Sequence, residues 1–199
     1  MTQLNHFGLG RHLCGMTMGL ATPASSTPLA ASTVELAAAG DAVAFARIVN
    51  AFHGDMVRVA YVVCGDQQLA QDAAQAAWSI ALGKLGSLRD PARLRPWLVS
   101  VAANEARQMI RSQHRRALAE IRVRPASDPA GDPPRVIDRV DLVNAFQRLE
   151  PDDRTLLALR YVAGLDSSEI GPLVGMSPSG VRGHLSRLLE RLRKELRDD

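Results

Sequence analysis

The stretch Leu165-Asp166-Ser167-Ser168-Glu169-Ile170-Gly171-Pro172-Leu173-Val174-Gly175-Met176-Ser177-Pro178-Ser179-Gly180-Val181-Arg182-Gly183-His184-Leu185 decides the fold of the C-terminal third. Asp166 or Ser167 caps a short helix whose apolar side is Ile170, Leu173 and Val174. Gly175 closes that helix and turns the chain. Ser177 caps a second helix, with Pro178 at its first position, where a missing N–H costs nothing. Val181, Leu185, Leu188 and Leu192 recur at helical spacing and bury one side of it. Ser179, Arg182, Ser186 and Glu190 fall on another side. Pro172 inside the first helix is expected to kink or shorten it. Cap, turn glycine and spacing together describe a helix-turn-helix, which lays its second helix in a DNA major groove. Short polar residues and an arginine near the start of that helix suit base edges, and arginine pairs bidentately with guanine. His184 and Arg187 flank the face and suit backbone phosphate. A plain helical hairpin from a bundle is the bland alternative.

The segment before this motif carries two more helical patterns. Val140 to Leu149 is expected to end at Pro151, and Asp153 to Val162 to end at Gly164. Upstream again, residues 123–138 hold Pro125, Pro129, Gly131, Pro133 and Pro134. No helix survives that composition, so the segment reads as a proline-stiffened linker.

The N-terminal half is helical in pattern as well. Ser32-Thr33-Val34-Glu35 has the form of a capping box, and Asp41 restarts a helix after Gly40. Phe45, Ile48, Val49, Phe52, Met56, Val59, Ala60 and Val63 recur at helical spacing, and Gly65 supplies the stop. Asp66 caps the next helix, whose expected apolar set is Leu69, Ala73, Ala77, Ile80 and Leu82. A loop from Gly86 to Arg95 follows, with Asp90-Pro91 as cap and first-turn proline. A long helix then carries Trp97, Leu98, Val101, Ala102, Met109 and Ile110 to about Ile121. Trp97 shares a face with Val101 and reads as core. No period-2 strand pattern appears, so the fold class is all-α. Its expected parts are a tail (1–31), a helical domain (32–122), a linker (123–138) and a helix-turn-helix domain (139–199).

Composition bounds the function. The 199 residues are 46% hydrophobic and 23% charged, enough for two small cores. Aromatics are only 4%, so those cores rest on Ala, Leu, Val and Ile. The net charge is +3. Basic residues concentrate at Arg107, Arg111, Arg115, Arg116, Arg122 and Arg124, and again at Arg182, Arg187, Arg191, Arg193, Lys194 and Arg197. Two separated basic segments imply two contacts on a polyanion, although a solvated helix face accounts for either alone. The two cysteines, Cys14 and Cys64, form no disulfide framework or zinc pattern, and Cys64 reads as a small core hydrophobe. No metal or cofactor is expected. There is no phosphate loop, no His-Glu-x-x-His and no nucleophile elbow, so the chain is not expected to be an enzyme. No run is apolar enough to span a bilayer and no secretory leader is evident, so a cytoplasmic protein without membrane contact is expected.

The ordered chain resembles the extracytoplasmic-function sigma factors of bacterial RNA polymerase. The likeness has two parts. One includes Arg58-Val59-Ala60-Tyr61, Gly65-Asp66, Asp72-Ala73-Ala74-Gln75 and Leu94-Arg95-Pro96-Trp97-Leu98 through Ala103-Asn104. The other includes Leu149-Glu150-Pro151-Asp152-Asp153-Arg154, Leu159-Arg160-Tyr161 and the helix-turn-helix. The resemblance implies core RNA polymerase and promoter DNA as partners, with an anti-sigma factor common in that family. It implies that Asp72, Gln75 and Ser79 face the polymerase. It implies that the Gly86–Arg95 loop captures an unpaired base, and that Arg95, Asn104, Arg107 and Arg111 meet the minus-ten element. It implies that Ser179, Arg182, Gly183, His184, Ser186 and Arg187 meet the minus-thirty-five element. Ala76 stands where that family usually has an acid, Gly180 where it has Thr, and Gly183-His184 where it has Ser-Arg. Two alternatives stand beside it. One is a LuxR-type regulator, whose recognition helix often has Val-x-x-His. The other is a helical interaction protein without promoter activity.

Overall fold

The computed structural model describes residues 31–121 and 145–198. The expected tail, the linker and most of the Val140–Leu149 pattern lie outside those residues. Within them every regular element is helical.

Helix α1 is Ala31–Ala38, α2 is Ala42–Cys64, α3 is Gln67–Lys84 and α4 is Leu94–Ile121. Two short 3-10 turns, Leu85–Ser87 and Pro91–Arg93, join α3 to α4. Local chemistry sets these bounds. The Asp41 carboxylate accepts from the Ala44 amide at 2.7 Å, and the Asp66 carboxylate from the Leu69 amide at 2.7 Å. Gly65 ends α2 in the left-handed region, φ 76°, and its N–H donates to the Tyr61 carbonyl. Asp90 caps the second 3-10 turn through the Ala92 amide. The start of α1 differs from expectation. Ser32 lies inside the helix, which already runs from Ala31, so it is no N-cap.

Helices α2, α3 and α4 pack as one bundle. Ile48, Met56, Val59 and Val63 of α2 meet Leu98, Val99, Ala102 and Ala106 of α4 in a fully buried core. Each large side chain there contributes about 1.5–3 kcal/mol. Phe45 and Trp78 make an edge-to-face pair with centroids 5.8 Å apart, and the Trp78 indole N–H donates to His53 Nδ1 at 3.1 Å. Trp97 and Val101 are half-buried against the same core.

The buried side of α3 corrects the sequence expectation. It is the alanine line Ala70, Ala73, Ala74, Ala77 and Ala81, while Leu69 and Ile80 are half-buried and Leu82 is 62% exposed. Hydrophobicity favoured the larger residues. Close helix approach instead favours the stripe with no side chain beyond Cβ.

In the C-terminal unit α5 is Pro151–Leu157 and continues into one π-helical turn, Ala158–Val162. Helix α6 is Ser167–Val174 and α7 is Pro178–Asp198. Pro151 therefore opens a helix at its first turn instead of only ending the preceding one. Asp166, not Ser167, caps α6 in a full capping box. Its carboxylate accepts from the Ser168 and Glu169 amides, and Glu169 accepts from the Asp166 amide at 2.8 Å. Pro172 is tolerated late in α6. Gly175 closes the helix at φ 70°. Ile170, Val181, Leu185, Leu188 and Leu192 bury against Leu156, Leu157 and Leu159.

Gly171 holds the tight turn between α6 and α7. A Cβ there would sit 2.6 Å from the Met176 backbone carbonyl. The close approach carries the Met176 N–H to Gly171 O bond at 2.9 Å. No larger residue fits without moving backbone.

Candidate nucleic-acid interface

Helix α7 presents an open face. Ser179, Arg182, Ser186 and Arg187 are exposed, and Gly183 is half-buried with nothing within 4 Å of where its Cβ would stand. Spacings of three and four residues put Ser179, Arg182, Gly183 and Ser186 on one strip. Among the described residues Arg182 and Arg187 carry no ion pair. The Ser177 hydroxyl accepts from the Gly180 amide at 3.0 Å, which orders the helix start beside this strip. Gly180 is constrained by that cap, since its Cβ would stand 3.1 Å from Ser177 Oγ. Gly183 meets no such constraint and leaves room on the exposed side.

His184 departs from the rest of the set. Its Nε2 lies 2.8 Å from Asp153 Oδ1, and Arg191 one helical repeat further on lies 4.0 Å from Asp153 Oδ2. Helix α7 is thereby tied to the first turn of α5, where a carboxylate also benefits from the helix dipole. The geometry makes His184 a brace for α7.

A second candidate surface runs along α4. Asn104, Arg107 and Arg111, at spacings of three and four, share one face. Arg107 Nη2 donates to Asn104 Oδ1 at 2.9 Å, which fixes the two side chains together. Arg95, expected in the preceding loop, lies in the first turn of α4 instead. Its Nε donates to Asp55 Oδ2 at 2.8 Å and its Nη1 to the Ala163 carbonyl at 2.9 Å. That carbonyl lies just past the π-helical turn. Asp55 also pairs with Arg58. The structure thus separates Arg95 from the α4 strip and gives it two partners.

Three acidic or polar residues escaped the sequence reading. Asp152, noticed only inside a longer motif, accepts from Arg107 Nη1 at 2.7 Å and from Arg111 Nη2 at 2.9 Å. Asp55 anchors Arg95 from forty residues away. Gln147 accepts from Arg154 Nη1 at 2.5 Å and lies where a side chain on Gly65 would collide with it. No local pattern marks any of these. They are legible only as leftover charge or amide on otherwise apolar helices.

The third strip is Asp72, Gln75 and Ser79 on α3, all exposed. Gln68 donates to Asp72 Oδ1 at 3.1 Å and orients it. Leu82 continues the same line one turn on and makes its end apolar. Burial is the largest influence on the Cys64 thiol and pushes its pKa above the usual range. No helix among the described residues is long and apolar enough to cross a membrane.

The known proteins that this chain resembles match it in two parts. The Sigma-70 region 2 family model matches residues 48–116, and the Sigma-70 region 4 model matches residues 139–192. The RNA polymerase sigma factor CarQ of Myxococcus xanthus is 37% identical over 131 residues, covering 64% of this chain and 75% of CarQ. The probable RNA polymerase sigma factor RfaY of Xanthomonas campestris is 33% identical over 168 residues, covering 80% of this chain. The chain spans 42% of RfaY's own length. A solved structure of the sigma factor RpoE with the anti-sigma factor NepR, from Bartonella quintana, superimposes with TM-score 0.60. That likeness is at 20% identity and covers 78% of this chain and 98% of RpoE.

The chain belongs to the RNA polymerase sigma factors, within their extracytoplasmic-function group. The comparisons give no support to the LuxR-type alternative.

Proposed function

We propose that this chain is a promoter-specificity subunit that binds core RNA polymerase in the cytoplasm and directs transcription initiation. The observation that carries the reading is the pairing of two basic strips, on α4 and α7, within matches to the two DNA-contacting regions of sigma factors. In this reading the α7 strip enters the major groove of the minus-thirty-five element. Arg182 reads a base edge, Ser179 and Ser186 support it, and Arg187 holds phosphate. Asn104, Arg107 and Arg111 hold the separated minus-ten strand, where backbone charge and base capture act together. Arg95 positions the start of α4 beside them. The α3 strip of Asp72, Gln75 and Ser79 docks on the polymerase, with Leu82 as its apolar end. The domains fall near residues 32–122 and 139–199. An anti-sigma factor is a natural partner, since RpoE is held by NepR in its crystal. The proposal assigns no catalytic residue and no cofactor.

The test is initiation in vitro. Purified chain added to core polymerase should produce transcripts from a defined subset of genomic promoters. Equal transcription with and without the chain sinks the reading.

A further inference from the structure

His184 stands apart from the strip of α7 that carries Ser179, Arg182 and Ser186. Each helix residue turns by about 100°, so His184 lies about 200° around the helix from Arg182, nearly on its far side. One turn before it is Val181 and one turn after it is Leu188, both buried. His184 therefore sits at the edge of the face that α7 turns toward α5.

Asp153 of α5 meets that edge twice. His184 Nε2 lies 2.8 Å from Asp153 Oδ1, and an ionised carboxylate only accepts, so Nε2 carries the hydrogen. Arg191 Nη1 lies 4.0 Å from Asp153 Oδ2. His184 and Arg191 are seven residues apart, two helical turns along the same side. The Asp153 side chain is only 15% exposed, so water screens the pair weakly. The rest of the contact is leucine, with Leu185, Leu188 and Leu192 against Leu156, Leu157 and Leu159. Apolar burial has no direction and permits one helix to roll on another. A hydrogen bond demands both a distance and an angle.

We infer that His184 and Asp153 are a positioning pair for recognition of the minus-thirty-five element: they set the roll of α7 that aims Arg182, and His184 does not itself touch DNA. The inference rests on the promoter reading above. The rival role for His184 is the phosphate contact that its place in the helix-turn-helix implies. The two roles give opposite signs at Asp153. A carboxylate beside a phosphate contact repels the DNA, so its removal tightens binding. A positioning pair needs the carboxylate, so its removal costs recognition.

The test uses holoenzyme assembled from core polymerase and the full chain. A promoter is first selected from duplexes randomised at the minus-thirty-five element. Filter binding over a salt series then measures the preference for it against a duplex with that element scrambled. His184→Ala and Asp153→Ala should each reduce the preference roughly threefold to tenfold, the worth of one hydrogen bond. The double variant should lose no more than either single, because both remove the same interaction. His184→Gln has an amide that can donate to the same carboxylate, and should keep most of the preference. The salt slope should be the same for His184→Ala as for the parent, whereas a lost phosphate contact makes it shallower by about one unit. Four results overturn the pair: tighter binding of the selected promoter by Asp153→Ala, a shallower slope for His184→Ala, additive losses in the double variant, or a full loss in His184→Gln. If the parent holoenzyme selects no upstream sequence, the promoter reading fails. If it selects one and the alanine variants keep the preference, the positioning pair alone fails.

Discussion

The two candidate DNA-contacting strips are built from the same chemistry and stand in opposite states. On α7, Arg182 and Arg187 are exposed and without ion pairs among the described residues. On α4, Arg107 and Arg111 are bound to Asp152. The contrast shows that a basic helix face is only a capacity for polyanions. Availability is decided by what the rest of the chain folds against it. The difference also tracks the local anchors. Helix α7 is held from behind, by a leucine face and the Asp153–His184 brace, so its front stays open. Helix α4 is held from behind by the bundle core and is met in front by α5.

The largest effect is expected of Gly171→Ala. Its methyl would press on the Met176 carbonyl 2.6 Å away, and backbone cannot yield cheaply. A cost of about 1–3 kcal/mol is expected for such overpacking. Urea unfolding of the full chain should show it, with loss of minus-thirty-five binding and no loss of single-stranded DNA binding. Unchanged stability would mean the α6–α7 turn relaxes freely.

Next come the two arginines. Arg182→Ala should remove about 1–3 kcal/mol of discrimination at one upstream base pair. Arg111→Ala should weaken open-complex formation about equally across promoters and make the salt dependence shallower by about one unit of slope. Filter binding of the holoenzyme over a promoter panel and a salt series separates them. Uniform weakening by Arg182→Ala would reassign it to phosphate.

The smallest effect is a response to acid. The Ser168 hydroxyl, followed by the Glu169 and Ser168 amides, holds the Asp166 carboxyl below its ordinary value of 3.8. A carboxyl depressed by folding stabilises fully above its unfolded value. That stability is lost as pH falls through the folded value. The start of α6 should therefore fray only in strong acid, below the range where ordinary carboxylates titrate. The Ser168 and Glu169 amide shifts, followed by NMR down the pH scale, should move with a midpoint under 3.8. A midpoint at or above that value contradicts the cap.

Much of this molecule could be read before folding it. Asp41, Asp66, Asp90, Asp166 and Ser177 cap where their spacing says, because capping is a bond between neighbours in sequence. Gly65 and Gly175 stop helices for the same local reason. The shared side of Ser179, Arg182, Gly183 and Ser186 on α7 was equally legible, since one periodic helix fixes which residues face together. The misreadings arose where distant packing ruled. Hydrophobicity put Leu82 in the core, but the close approach of α3 to its neighbours chose the alanine line. Nothing local marks that Asp153 stands beside His184, thirty-one residues away.

Helices, most of their caps, the helix-turn-helix and the family likeness were legible in the residues, because each depends on bonds and periodicities spanning only a few residues. Tertiary structure alone decided which charges are free. Asp55 reaches Arg95 across forty residues, and Asp152 reaches Arg107 and Arg111 across forty-five and forty-one. An ion pair depends on distance in space, and separation along the chain carries no trace of it.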